Sequence, residues 1–211
     1  MNLLAVLLAA GGGTRFGGAT HKLLADLHGR PLWRTSLEHL LAARIAPVVL
    51  ITGAADLDTA DFDRAHRDRA HRDRAHHDQP IHDSPIEVIH NPDWATGQAS
   101  SLQLGVAAAR RAGADAMVIG LADQPFVEPS AWRAVADAPA QCLLVVASYD
   151  GRRGPNPVRI ASELWDRLPE TGDEGARGLL LADQWRVCSV DCLGSANDID
   201  TLEDLERWTR S

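Results

Sequence analysis

Residues 11 to 22 carry the residue types that handle phosphate. Gly11, Gly12, Gly13, Gly17 and Gly18 put five glycines within eight residues, with Arg15 among them and Lys22 just after. Glycines leave backbone N–H groups uncovered by side chains, and a nest of such donors suits a polyphosphate. Arg15 and Lys22 would offset its charge. The lysine is singular: of 21 Lys and Arg residues, 20 are arginine and only Lys22 is lysine. A chain that uses arginine everywhere else, yet keeps one compact ammonium beside the glycines, points to a site that a planar guanidinium would not serve. A second polar group, Asp123, follows the apolar run Ala116 to Leu121. A carboxylate just past the end of a parallel strand faces the ligand crevice and is well placed to hold Mg2+.

Two common glycine fingerprints do not fit. The phosphate loop of the ATPases needs Gly-Lys-Ser/Thr, where this chain has Gly-Gly-Ala-Thr-His-Lys, and G-x-G-x-x-G fails because Phe16 stands where the third glycine belongs. What fits is L-A-A-G-x-G-x-R-x-G, written by Leu8, Ala9, Ala10, Gly11, Gly12, Gly13, Arg15 and Gly17, with Lys22 a few residues on. This resembles the nucleotidyltransferases that share a molybdopterin-guanylyltransferase-like domain, and the Ala-Ala-Gly version is most similar to their molybdenum cofactor cytidylyltransferase branch. Further words follow in order. Asn91-Pro92-Asp93-Trp94 and Gly97-Gln98-Ala99-Ser100-Ser101-Leu102 resemble the segment that lies against the base, and Ala122-Asp123-Gln124-Pro125 resembles the magnesium-binding word. Gly154-Pro155-Asn156-Pro157-Val158 resembles G-H-P-V with Asn156 where histidine is usual, which leaves the acceptor contacts open. Gly172 to Arg177 matches G-D-x-G-A-R, and Asp198 to Asp204 resembles D-I-D-T-x-E-D.

The resemblance implies a magnesium-dependent enzyme that moves a nucleotide monophosphate from a nucleoside triphosphate, CTP favoured, to a phosphate acceptor such as molybdopterin, with release of pyrophosphate. It implies nucleotide contacts from Leu8, Ala9, Ala10, Gly11, Gly12, Gly13, Arg15, Lys22, Asn91, Gly97, Ser100 and Asp123, catalytic roles for Lys22, Arg15 and Asp123, and Mg2+ on Asp123 and Asp200. Two carboxylates that meet would repel one another, so their meeting is expected only where a cation arrives with the nucleotide. Rival readings are a guanylyltransferase for molybdopterin or a small phospho-acid, and a non-catalytic module that delivers cofactor to a molybdenum hydroxylase partner. The guanylyl branch for molybdopterin usually reads L-A-G-G, against Ala10 here.

The elements that must position these groups alternate. Leu3 to Leu8 is a short apolar run bounded by glycines, hence a buried strand; Pro31 to Ala43 has a helical apolar face, and Val48 to Ile51 reads as the next strand. Strand Ile86 to Ile89, helix Ser100 to Ala112, strand Ala116 to Leu121, helix Pro129 to Ala138 and strand Leu143 to Ala147 continue the pattern. Such alternation predicts an α/β fold: three layers, doubly wound, with a mostly parallel sheet and ligands at its carboxyl edge. The resemblance makes this Rossmann-like fold nucleotide-diphospho-sugar-transferase-like. Asp200 reads as the N-cap of a closing helix.

Composition bounds the rest. A chain of 211 residues, 45% hydrophobic, suits one domain over residues 1–211. The net charge of -8 argues against a nucleic-acid partner, and no apolar run approaches the roughly 20 residues that span a bilayer. Residues 63–78 write Asp-Arg-Ala-His-Arg twice and Asp-Arg-Ala-His-His once. A five-residue period advances about 500° on a helix, so His66, His71 and His76 share no face, while i,i+4 spacing pairs Asp63 with Arg67 and Asp68 with Arg72. This reads as an exposed or disordered insertion outside the chemistry. Cys142, Cys188 and Cys192 form no C-x-x-C and cannot all pair, which predicts buried thiols in a reducing cytoplasm.

Overall fold

The computed structural model describes residues 1–18, 20–60, 86–182 and 187–209. Its centre is a seven-stranded sheet in the order β5-β4-β1-β6-β8-β7-β9. Strands β1 (Leu3–Ala9), β4 (Val48–Thr52), β5 (Ile86–His90) and β6 (Ala116–Leu121) run parallel. The short strands β2 (Asp26–Leu27) and β3 (Arg30–Pro31) make a separate antiparallel ribbon. Strands β7 (Leu144–Tyr149) and β9 (Val187–Asp191) pair in parallel, and the long β8 (Arg152–Ala161) lies antiparallel between β6 and β7. The doubly wound, mostly parallel sheet expected from the alternation is therefore present, with one reversed strand, β8, in its interior.

Period-two alternation on β1 explains the layers. Ala5, Leu7 and Ala9 face one side with helices α1 (Leu32–Ala43) and α3 (Pro129–Ala136), through Leu37, Leu40, Trp132 and Val135. Leu4, Val6 and Leu8 face the other with helix α2 (Gln98–Arg111), through Leu102 and Val106. The short helix α4 (Arg177–Ala182) adds Leu179 to that second layer, and α5 (Leu202–Thr209) closes the described chain beside β2.

Strand β8 departs from simple alternation. Gly154, Pro155 and Pro157 hide it, because these residues argue against a strand interior. Only its second half, from Asn156 on, is continuously buried, and the Asn156-Pro157 bond is cis. Its Arg159, fully buried, donates to the carbonyls of Ala136, Ala138, Pro139 and Cys142, so it caps the end of α3 and the turn into β7.

The cysteine expectation is corrected. Register places Cys188 opposite Val145 on the parallel β7–β9 pair, which brings the Cα atoms of Cys142 and Cys188 to 5.9 Å, and the two form a disulfide. Cys192 remains a partly buried free thiol whose pKa burial pushes up. The inference of a reducing compartment, which rested on unpaired thiols, loses its basis. The repeat at 63–78 lies outside the described residues. No helix among the described residues is long and apolar enough to cross a membrane.

Candidate active site

At the carboxyl edge of β1 and β6 opens a cavity of about 1090 Å³. Leu8, Ala9, Ala10, Gly11, Gly12, Gly13, Arg15, Lys22, Gly97, Asp123 and Asp200 all line it. Three chain segments meet there for physical reasons that start in their sequences. The glycine loop leaves β1 between β4 and β6, and the Ala10 carbonyl accepts from the Ala54 N–H at 3.1 Å. Trp94 lies so close over the loop that a Cβ on Gly12 would come within 2.9 Å of its ring. Past the glycines, Phe16 turns inward at 4% exposure and packs with Leu27, Leu32 and Ile199. The residue that breaks the dinucleotide fingerprint is thus the anchor of the loop.

Lys22 begins a 3-10 turn, Lys22–Leu24, capped by His21. The His21 Nδ1 accepts from the Leu23 N–H at 3.2 Å, which leaves the proton on Nε2 to donate to the Gly11 carbonyl at 2.9 Å. One imidazole thereby ties the lysine turn to the glycine loop. Burial pulls the His21 pKa below its ordinary value, against the pull of the Gly11 carbonyl. Gly13, at φ +61°, leaves the room this needs: a Cβ there would lie 3.1 Å from Lys22 Cγ and 3.2 Å from His21 Nε2.

The third segment carries the carboxylates. The Asp123 carbonyl accepts from the N–H of Ile199, a fully buried residue, at 3.0 Å, and this seats the loop of Asp198 and Asp200 beside Asp123. Asp200 does not cap α5; Thr201 does. Thr201 Oγ1 accepts from the Asp204 N–H at 3.1 Å, while Asp204 Oδ2 accepts from the Thr201 N–H at 2.9 Å, a reciprocal capping box. Asp200 is left free for the cleft.

There the ammonium of Lys22 donates to Asp123 Oδ2 at 2.5 Å and to Asp200 Oδ1 at 2.9 Å, and Arg15 pairs with Asp200 Oδ2 at 2.9 Å. Burial works to lower the Lys22 pKa, but the charge and hydrogen bonds of the two carboxylates outweigh it and raise the value. The sequence expectation that these acids need an arriving cation is therefore corrected: the chain supplies its own. Asp198 completes an acidic group. Loss of water in the cleft and the charge of Asp123 push its carboxyl up, and a hydrogen bond from Gln124 Nε2 opposes them. Gln124 Oε1 in turn accepts from Asn156 Nδ2 at 3.0 Å, so the residue at the family's histidine position is spent inside the protein on the arm that steadies Asp198.

A divalent ion fits this donor set. Asp123 Oδ1 is buried with no hydrogen-bond partner among the described residues, a costly arrangement unless something electropositive meets it. Two carboxylates that reach one nitrogen at hydrogen-bond distance are also close enough to share an ion with oxygen ligands at about 2.0–2.1 Å. Among the described residues no three His, Cys, Asp or Glu side chains are grouped to hold a metal by themselves, so an ion on Asp123 and Asp200 would draw further oxygens from outside the protein.

The MobA-like NTP transferase domain model matches residues 5–187. The chain belongs to that family. The purine catabolism protein PucB of Bacillus subtilis (strain 168) is 31% identical over 216 residues, 99% of this chain and 97% of PucB. Among solved structures, a nucleotidyl transferase from Methanothermobacter thermautotroptrophicus has a TM-score of 0.72 at 21% identity, over 99% of this chain and 96% of its own. Rv0371c of Mycobacterium tuberculosis H37Rv, solved with manganese, has a TM-score of 0.69 at 22% identity over the whole of both chains.

In this MobA-like chain, Asn91 and Ser100, two of the expected nucleotide contacts, are not among the residues that line the cavity. Asn91, 2% exposed, donates to Ser100 Oγ at 2.9 Å and Ser101 Oγ at 2.8 Å, while its Oδ1 accepts from the Asp93 N–H. Ser100 sits in the first turn of α2 and donates back to the Gly97 carbonyl at 2.9 Å. Both brace the segment that presents Trp94. Gly97 lines the cavity, but its bareness serves a protein contact: at φ +117°, a Cβ would meet the Gly172 backbone at 2.5 Å. Gly172 and Asp173 cap α2, accepting from the N–H groups of Ala99 at 2.9 Å and Gln98 at 3.2 Å. Four residues that matter here are given no role by the sequence: His21, Phe16, Gln124 and Ile199, of which Gln124 and Ile199 stand inside family words.

Proposed function

We propose that this protein is a cytidylyltransferase that moves CMP from CTP to a terminal phosphate of an acceptor, molybdopterin in the favoured reading. The observation that carries it is the convergence of Lys22, Asp123 and Asp200 beside the glycine loop, in a chain of the MobA-like NTP transferase family. An acceptor phosphate oxygen attacks the α-phosphorus as the bond to the bridging oxygen of the β-phosphate breaks, and pyrophosphate leaves with that electron pair. Such chemistry asks for positioning and charge neutralisation, which is what the cleft offers; no covalent intermediate on the protein is required.

The glycine loop presents backbone donors to the triphosphate, Lys22 offsets charge on the α-phosphate, and Arg15, 76% exposed at the rim, offsets charge on the departing pyrophosphate. Asp123 and Asp200 would hold Mg2+, which when bound supplies Lewis-acid stabilisation of the phosphate oxygens. The lining also includes Val146, Leu180 and Val187, with Arg177 beside Asp173 and Glu174, a mixed apolar and charged surface for the acceptor. Ala10, where the guanylyl branch reads glycine, favours the cytidylyl reading. On this reading a molybdenum hydroxylase would be the destination of the product.

The test is to offer each of four nucleoside triphosphates with Mg2+ and molybdopterin and to measure pyrophosphate. Release from CTP is expected. Release from GTP alone would move the reading to the guanylyl branch, and release from none would favour the delivery module.

A further inference from the structure

We propose that Lys22 is the resident counter-ion of the metal site and that nucleotide binding exchanges it for the divalent cation. In the free protein Lys22 seals the site; with triphosphate it moves onto the phosphate oxygens and leaves Asp123 and Asp200 to the metal. This rests on the nucleotidyltransferase reading and adds to it an order of events and a second duty for one side chain.

Three observations carry it. First, one ammonium spends two of its three donors on the same two carboxylates that would bind the ion, at 2.5 and 2.9 Å, so lysine and metal compete for one place. Second, the Lys22 side chain is only 10% exposed, and those of Asp123 and Asp200 are 17% and 21% exposed. At such burial Lys22 and Asp123 cannot be left without an opposite charge, while Asp200 keeps Arg15, so release of the lysine must coincide with arrival of another cation at Asp123 and of anions at the lysine. A metal–triphosphate complex brings both together, whereas a bare metal ion brings only one. Third, the side chain is the right instrument. An ammonium on a four-carbon stem, rooted in the turn that His21 fastens to the Gly11 carbonyl, can swing from the acids to a ligand on the glycine loop without moving its Cα; a planar guanidinium would have to satisfy two fixed geometries. Arg15 stays paired with the other oxygen of Asp200 and keeps that carboxylate oriented during the exchange.

Removing the ammonium while keeping its length should therefore expose the metal site without nucleotide. Mn2+ binding to the full, nucleotide-free chain, followed by electron paramagnetic resonance and calorimetry, should be weak in the natural protein and at least about tenfold tighter in Lys22→Met. Equal or weaker affinity in a Lys22→Met protein that retains its circular dichroism would overturn the proposal. Should Lys22→Met not fold, the natural protein answers by itself. Its single lysine gives one side-chain signal on 15N-lysine labelling, held slow to exchange with water by the two carboxylates. Mg2+ alone should leave that signal in place, and Mg2+ with a non-hydrolysable CTP analogue should shift it; a signal displaced equally by Mg2+ alone would sink the exchange. Because these readouts need no turnover, tight Mn2+ binding by Lys22→Met together with no pyrophosphate released from any triphosphate by the natural protein would remove the transfer reading while the counter-ion role stood.

Discussion

Asp123 and Asp200 each give an oxygen to Lys22, so substituting either takes a partner from a nearly buried ammonium. Asp123→Asn should lower stability by roughly 1–3 kcal/mol, read as a melting shift in nucleotide-free protein. From two repelling acids alone the opposite sign would follow; Lys22 reverses it. On the proposed transfer reaction the same substitution should slow turnover measured with Mg2+ by about two to three orders of magnitude, through loss of one of the two carboxylates proposed to hold the ion. His21 governs a pH response. It is held neutral, with its pKa lowered mainly by burial, so below its ordinary value near 6.5 the unfolded chain binds a proton that the folded chain refuses. Its contribution to stability is whole above that value and is lost as pH falls through the window beneath it. Protonation would also set an Nδ1–H against the Leu23 N–H and break the cap on the lysine turn. His21→Gln should flatten the fall in melting temperature between neutral pH and pH 5.5; an unchanged slope would place the titration elsewhere.

At the scale of elements, the loop Gly172–Asp173 and the start of α2 form one unit. Gly97→Ala forces a side chain into a left-handed conformation and into the Gly172 backbone, so α2 loses its cap and the cavity a wall. We expect a cost of roughly 1–3 kcal/mol and a raised KM for the triphosphate, measured by thermal melts and steady-state kinetics. The elements differ in how plainly the sequence announces them. Leu3–Ala9, Val48–Thr52 and Ala116–Leu121 are continuous apolar runs because parallel strands here are covered on both faces, and periodicity finds them. Strand β8 is masked by Gly154, Pro155 and Pro157, and β9, with no fully buried residue and with Ser189 and Asp191 exposed, alternates over too few residues to stand out. In the site the same division holds. Lys22 is legible because it is the only lysine in the sequence, Gly11 to Gly13 because the glycines cluster after a strand, and Asp123 and Asp200 because each stands in a family word. Phe16, His21 and Ile199 act through packing and backbone hydrogen bonds, which residue type does not reveal. Asn91 and Ser100 show the converse: a family word marks a segment, and the hydrogen bonds between these two residues and to the Gly97 carbonyl show how that segment is held.

For the molecule as a whole, the Cys142–Cys188 disulfide closes a separation of 46 residues and fastens β9, an edge strand, to the entry of β7. Replacing both cysteines by serine should cost about 2–4 kcal/mol and lower the melting temperature by roughly 5–15 °C. The same drop should appear when a reductant is added to the natural chain and be absent when it is added to the double variant. β9 also carries Val187 in the cavity wall and leads to the loop of Asp198 and Asp200, so the loss should be felt in KM as well as in stability. One last consequence concerns how the fold can be taken apart. A lysine-specific protease has a single bond to attack in the entire chain, Lys22–Leu23, and that bond lies within the active-site turn. Global unfolding aside, every cut therefore times an opening of this one turn, and the two fragments, residues 1–22 and 23–211, would part the glycine loop from the carboxylates in one stroke.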